Sequence, residues 1–224
     1  MTDPEPDEFM SRLREADRAA LITRGRRRQW PAGASLYLEG ESCKTVMIVE
    51  SGRVKAFSLT EQGEEILLAV RGPGALLGEL SAVDGGPRST SVAALEPVAA
   101  LVVPLPSFID YLRTHGDAAI ALLQLVTAKL RDSDRKRVES AAYDIPGRVA
   151  RRLVELAERF GEPDDRGVRI GVALSQDELA GWVGASREAV AKALRVLRDR
   201  GFVTTGRRTM TVLDLDGLRR RAGD

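Results

Sequence analysis

Between Trp30 and Val103 the chain is a succession of short apolar runs, each closed by a turn that holds glycine. Residues 35–38 give way to Glu39-Gly40-Glu41, residues 45–49 to Glu50-Ser51-Gly52, and residues 53–59 to Glu61-Gln62-Gly63. Residues 65–70 end at Gly72-Pro73-Gly74, and runs at 90–95 and 98–103 complete the series. Turn signals about every dozen residues specify short strands folded back on one another, an antiparallel sandwich or barrel. Alternation within the runs is imperfect, so the pattern fixes an all-β class for this region and leaves register open.

One stretch interrupts the strands: Gly78-Glu79-Leu80-Ser81-Ala82-Val83-Asp84-Gly85-Gly86-Pro87-Arg88-Ser89-Thr90-Ser91. Gly78 has no Cβ and lets backbone approach a ligand. The residues after it can form a short helical turn whose free N–H groups face an anion. Asp84-Gly85-Gly86-Pro87 is a turn signal that returns the chain against that helix. Arg88 then offers a bidentate fork and Ser89 a hydroxyl donor, both suited to a phosphate. Glu79 offers acceptors, which suit a ribose hydroxyl. A donor cluster beside one carboxylate fits a sugar phosphate, whereas the bland alternative is a glycine-rich surface loop with an Arg–Glu ion pair.

Composition narrows the remaining chemistry. The 224 residues are 43% hydrophobic and 30% charged, ordinary for a globular protein of one large or two modest domains. A net charge of +1 means that any basic surface must come from local clustering, and the 4% aromatic content disfavours base-stacking platforms. Cys43 and His115 are the only residues of their kinds. They cannot build an internal disulfide, a Cys/His zinc site or a cysteine-held iron–sulfur cluster within one chain. A lone His115 beside Gly116 reads as a helix end rather than a haem ligand, so the expectation is no metal, haem or iron–sulfur cluster. The acidic start is not a signal peptide and no run has the length of a membrane span, which points to a cytoplasmic protein with no membrane partner.

The flanks are helical in pattern. Residues 2–8 are acidic, broken by proline and expected to be disordered. Residues 9–22 fit one amphipathic helix, and Arg24-Gly25-Arg26-Arg27-Arg28 reads as a solvated charge run. Ser107 is placed to cap a helix over 108–113. Asp117 is placed to cap a long helix with apolar residues at Ala119, Leu122, Leu123, Val126, Leu130, Val138 and Ala141. That coiled-coil-like row extends past one domain's width, so a second copy is the expected occupant and packing on its own β domain the alternative. Asp144 and Pro146 open a further helix to about Phe160, and residues 161–167 read as an acidic loop.

Residues 175–200 form a second informative stretch. Ser175 and Glu178 fit a capping box, Gly184-Ala185 a tight turn, and Ser186 a second cap. Leu179, Ala180 and Val183 face inward, as do Val190, Leu194 and Leu197, leaving Arg187, Glu188, Ala191, Lys192 and Arg195 opposite. Residues 201–212 read as a β-hairpin with a basic tip at Arg207 and Arg208. Two capped helices followed by a hairpin specify a winged helix-turn-helix, against a plain helical hairpin with a charged face. Arg187 can donate twice to a guanine edge, Glu188 can accept from cytosine, and Lys192 can reach another guanine. Arg195, Arg207 and Arg208 suit phosphates.

Both stretches resemble the cAMP receptor protein (Crp/Fnr) family of bacterial regulators, on Gly78-Glu79-Leu80, Pro87-Arg88-Ser89 and Ser186-Arg187-Glu188. The resemblance runs from about Gly33 to Leu213. It implies an α+β protein: an N-terminal tail and helix (1–27), a cyclic-nucleotide-binding β jelly-roll (28–116), a dimerisation helix (117–143) and a winged helix-turn-helix domain (144–224). It implies cAMP as allosteric effector, with Gly78, Glu79, Leu80, Arg88 and Ser89 at the sugar phosphate and Ser133 and Asp134 reaching the base. The family commonly has alanine at Thr90 and, in its best-known members, a hydroxyl at Asp134. Asp134 either accepts from the adenine amino group or pairs with Arg131 or Arg137. DNA contacts are implied at Ser175, Gln176, Ser186, Arg187, Glu188, Lys192, Arg195 and Arg207. The expected target is a TGTGA-like palindrome; Lys192 stands where the family usually has arginine. Double-stranded DNA, a second copy of the chain and RNA polymerase are the implied partners.

Three alternatives stand beside this reading, two of them of a different class. The same DNA reader can answer to another nucleotide, or to none. A cupin-like metal oxygenase needs clustered histidines that the chain lacks. A cyclic-nucleotide-binding regulatory subunit acting on a protein would not need the winged helix.

Overall fold

The computed structural model describes residues 8–206 and 209–223. The fold is α+β and divides into two compact units: residues up to Ser58 with Ala69–Asp134, and Leu59–Leu68 with the residues from Arg135 onward. The acidic residues 2–7 and the tip arginines Arg207 and Arg208 lie outside the described residues.

The N-terminal half of the chain forms strands β1 (Arg26–Trp30), β2 (Ser35–Tyr37), β3 (Thr45–Ser51), β4 (Val54–Leu59), β5 (Glu65–Arg71), β6 (Leu76–Leu77), β7 (Ser91–Ala94) and β8 (Val98–Pro104). They form two four-stranded sheets, ordered β1-β8-β3-β6 and β2-β7-β4-β5. Met47, Val49, Val98 and Ala100 of the first sheet meet Leu36, Tyr37, Val54 and Val92 of the second in one core. The other face of the first sheet, through Val46, Ile48, Leu101 and Val103, is covered by helices carrying Leu21, Phe108, Tyr111 and Leu125. Thus β3 and β8 are buried on both faces. That removes the apolar/polar alternation that would have revealed their register.

The flanks depart from the sequence reading in four places. Residues 9–22 are not one helix: a 3-10 turn (Met10–Arg12) is followed by extended Leu13 and Arg14, then α1 (Glu15–Ile22). The break lets both Phe9 and Leu13 enter the core, and Arg18 donates to the carbonyls of Met10 and Leu13 at the break. The arginine run is an edge strand, β1, paired antiparallel with β8 from Arg26↔Val102 to Trp30↔Val98. Its arginines point to solvent while Trp30 is buried, and charge on an exposed edge discourages further strand pairing. Helix α3 (Leu105–Thr114) begins before Ser107, which caps nothing; Pro104 precedes the helix and Pro106 occupies its first turn. Helix α4 (Gly116–Ala142) starts one residue before Asp117, which sits in its first turn instead of capping it. Along α4, Ala118, Ala121, Leu122 and Leu125 bury in the chain's own core. Ile120, Leu123, Leu130 and Val138 are more than half exposed, so the apolar row predicted from sequence is two rows facing different ways.

The second unit holds α5 (Ile145–Phe160), α6 (Gln176–Val183), α7 (Arg187–Asp199) and α8 (Leu215–Ala222). Asp144 caps α5 by accepting from the Gly147 N–H at 2.9 Å, as its sequence promised. The expected acidic loop is two strands, β9 (Gly161–Asp164) and β10 (Gly167–Ile170). They join β11 (Val203–Gly206) and β12 (Thr209–Val212) in a sheet ordered β11-β12-β10-β9. The wing is therefore the edge of a four-stranded sheet, not a free hairpin. Glu139, buried near the end of α4, receives Arg151 at 2.8 Å and also Arg152, whose other nitrogen reaches Glu155 at 2.6 Å. A buried carboxylate is tolerable only when paired and hydrogen-bonded in this way.

Candidate functional site

Two groups of residues carry chemistry, one in each unit. In the first, β6 delivers Gly78 with a left-handed φ of 81°, and the short α2 (Glu79–Asp84) follows, closed by Gly85. The Asp84 carboxylate accepts from the Gly86 N–H at 2.8 Å, and the Ser81 hydroxyl donates to the Pro87 carbonyl at 2.8 Å. These two bonds fold Arg88 back beneath α2, as the turn signal predicted.

Arg88 is almost fully buried, 4% exposed. Its Nη2 donates to the Thr45 carbonyl at 2.7 Å and its Nη1 to the Gly78 carbonyl at 3.4 Å. The Tyr37 ring lies 4.1 Å from the guanidinium carbon. A Cβ at position 78 would stand 1.8 Å from Arg88 Nη1, so glycine is required there both for its φ and for the arginine's place. Glu79 is equally buried, and its Oε1 accepts from Lys129 Nζ of α4 at 2.7 Å. The cassette thus holds a cation and a carboxylate out of water, each already partnered by the protein. Ser89 and Leu80 are exposed beside them.

Lys129 was not identified from the sequence, because its partner lies fifty residues away. It also gives α4 a register. Ser133 is one turn beyond Lys129, on the face that reaches Glu79. Asp134 instead falls in line with Leu130 and Val138, four residues to either side, within the exposed row. Both Ser133 and Asp134 are exposed.

In the second unit, Ser175 and Glu178 make the full capping box: the Glu178 N–H donates to Ser175 Oγ at 3.1 Å, and the Ser175 N–H to Glu178 Oε2 at 2.8 Å. The Ser175 hydroxyl also donates to Glu178, so it is held within the helix start. Gly184, with φ of 62°, turns the chain, and Ser186 caps α7 through the Ala189 N–H. Leu179, Ala180 and Val183 of α6 and Val190, Leu194 and Leu197 of α7 are all buried, and the two helices are in contact. Gln176, Ser186, Arg187, Glu188, Lys192 and Arg195 all stand exposed. Arg187 lies 3.7 Å from Asp177, both about two-thirds exposed. The Glu188 carboxyl is held below its ordinary range, chiefly by its own backbone N–H and then by the Ser186 hydroxyl, so it is an acceptor at neutral pH. Arg198 donates to Thr205 at 2.9 Å and ties α7 to the wing strand.

Comparison with known proteins places this geometry. A model described as a cyclic nucleotide-binding domain matches residues 27–115, and one described as a Crp-like helix-turn-helix domain matches 147–221. The CRP-like cAMP-activated global transcriptional regulator of Mycobacterium tuberculosis is 33% identical over 204 residues, covering 91% of each chain. The chain belongs to the Crp/Fnr family of transcription regulators. It is accordingly a DNA-binding regulator with a cyclic-nucleotide-binding domain, and not an enzyme. The cyclic AMP receptor protein of Thermus thermophilus is 31% identical over 83% of each chain. A solved CRP-family transcriptional regulator, also from Thermus thermophilus, matches the fold with a TM-score of 0.75 at 25% identity, over 88% of this chain and 97% of that one. Among the described residues no helix of this Crp/Fnr protein is long and apolar enough to cross a membrane.

Proposed function

We propose that the chain is a homodimeric cytoplasmic regulator switched by cAMP and reading a TGTGA-like palindrome. The observation that carries the effector half is the buried pair of opposite charges in the cassette. Arg88 and Glu79 are each 4% exposed and sit on either side of the α2 start. A buried guanidinium suits an anionic cyclic phosphate, and a buried carboxylate suits ribose hydroxyls. Gly78, Leu80 and Ser89 complete the sugar-phosphate contacts, and Ser133 and Asp134 meet the base. Base contacts fall to Arg187, Glu188 and Lys192, with Gln176, Ser186, Arg195 and Arg207 on phosphates and Ser175 at the helix start.

The second copy covers Ile120, Leu123, Leu130 and Val138, an exposed apolar row that water otherwise wets. RNA polymerase is the protein partner at the promoter. For cAMP to act as a switch it must favour one dimer arrangement over another; tight binding without preference shifts nothing. The domain reading is the one expected from sequence, with the β-roll as receiver, α4 as seam and the winged helix as reader.

Calorimetry of the purified protein with cAMP and cGMP tests the effector. Saturable cAMP binding that Arg88→Leu abolishes supports the reading; cGMP binding tighter than cAMP, or no binding of either, contradicts it. Asp134 favours a second reading, in which the effector is another nucleotide. A carboxylate in the seam row accepts hydrogen bonds and donates none; adenine offers it one amino group, whereas guanine offers two adjacent donors, N1–H and its 2-amino group.

A further inference from the structure

Arg88 is fixed by three contacts, and two of them leave one motion free. The Thr45 and Gly78 carbonyls accept from its two terminal nitrogens. Guanidinium N–H donors lie in the plane of the group, so hydrogen bonds from it are best formed near that plane. The two bonds set its position along that plane but allow it to rock about the line joining them. The third contact stops the rocking. The Tyr37 ring, at the end of β2, lies 4.1 Å from Cζ, the distance of a cation stacked on an aromatic face.

Tyr37 is itself only 8% exposed and belongs to the core between the two sheets, so the ring cannot swing away without disturbing that core. Its surroundings also keep it neutral. Burial first, and the Glu79 carboxylate second, push the phenol well above its ordinary range. A neutral ring offers its negative face to the cation without adding an anion that would repel a phosphate.

We propose that Tyr37 is a positioning residue for ligand binding: its ring face holds the Arg88 guanidinium in the orientation that meets the nucleotide phosphate. This rests on the cyclic-nucleotide reading of the cassette. The aromatic face carries the effect, and the hydroxyl is dispensable.

The test uses the full chain as wild type, Tyr37→Phe, Tyr37→Leu and Tyr37→Met, the last in case the leucine variant loses its cooperative melt. Two quantities are read: the cAMP dissociation constant by calorimetry, and the Arg88 Nε–H resonance by nuclear magnetic resonance, which an adjacent ring shifts upfield. The expected order is Tyr37→Phe within about twofold of wild type and the aliphatic variants weaker by about 5- to 30-fold, the range of a desolvated cation–π contact. The upfield shift persists in Tyr37→Phe and vanishes in the aliphatic variants. Aliphatic variants that bind cAMP like wild type overturn the inference, as does a Phe variant as weak as Leu, which would assign the effect to the hydroxyl. An unshifted Arg88 resonance in wild type overturns it without any ligand. A wild type with the shifted resonance that binds no cyclic nucleotide overturns the nucleotide reading on which the role depends, a result distinct from the others.

Discussion

The cassette and the reading head both use arginine and glutamate, but they keep them in opposite environments. Arg88 and Glu79 are buried and already engaged by carbonyls, an aromatic ring and Lys129. Arg187, Glu188 and Lys192 stand in water on α7, Arg187 in a loose 3.7 Å contact with Asp177. A buried charge is fixed and needs little reorganisation when a small anion arrives, which suits selection of one ligand. An exposed charge is mobile and screened, which suits a polyanion approached by steering and released by salt. The contrast teaches that the same residue types are suited to different partners by burial: the proposed receptor residues are held out of water and the proposed DNA readers are left in it.

The largest expected effect breaks the buried side. Gly78→Ala places a methyl group where Arg88 Nη1 now lies and strains a left-handed backbone. The expected outcome, read by calorimetry, is a loss of cAMP affinity of about 100-fold or more, from displacement of a charge-assisted contact plus backbone strain. On the exposed side, Arg187→Ala should weaken binding to the palindrome by about 5- to 100-fold and relax preference at one base pair, while scrambled DNA is bound nearly as before. A fluorescence titration against a set of single-base operator variants reads both.

Two ion pairs sharpen the comparison further. Lys129→Met leaves Glu79 buried without its cation and should cost about 1–3 kcal/mol in chemical denaturation, the desolvation penalty of an unpaired group. The exposed pair of Arg27 with Glu50, at 2.9 Å, should be worth less than about 1 kcal/mol when broken by Glu50→Gln. Equal costs would erase the distinction between the two environments. The α5 cap adds a pH-dependent effect of similar size. Asp144 has its carboxyl lowered from 3.8, chiefly by its hydrogen bond with Arg221. A depressed folded-state value means that its contribution is complete above pH 3.8 and disappears as pH falls through the lower value. Asp144→Ala should therefore destabilise the protein by about 1 kcal/mol at neutral pH, and by progressively less as denaturation is repeated below about pH 4.

What the sequence disclosed follows from range. Turn glycines, the Asp144, Ser175 and Ser186 caps and the Asp84–Pro87 turn act within a few residues, so their chemistry is written in neighbouring letters. The inward faces of α6 and α7 were equally legible, because helical periodicity repeats locally. Strand β1 was missed because its arginines hide a strand whose only buried residue is Trp30. Strand β10 was missed because its pairing to β12 comes from about forty residues downstream, and β9 because its partner is β10. Around α2 the candidate ligand residues Glu79 and Arg88 were visible in the sequence, whereas Tyr37 and Lys129, which contact them, were not. Each lies about fifty residues from the group it supports, and no local pattern records such a meeting.

The proposed function requires one coupling: occupancy of the Gly78–Ser89 stretch must control DNA binding by α7. A titration of the purified protein against a fluorescent TGTGA-type palindrome at fixed salt, with cAMP, with cGMP and with neither, measures it directly. The predicted result is a marked tightening with cAMP alone, lost in Arg88→Leu. Palindrome binding that is equally tight in all three conditions would contradict it.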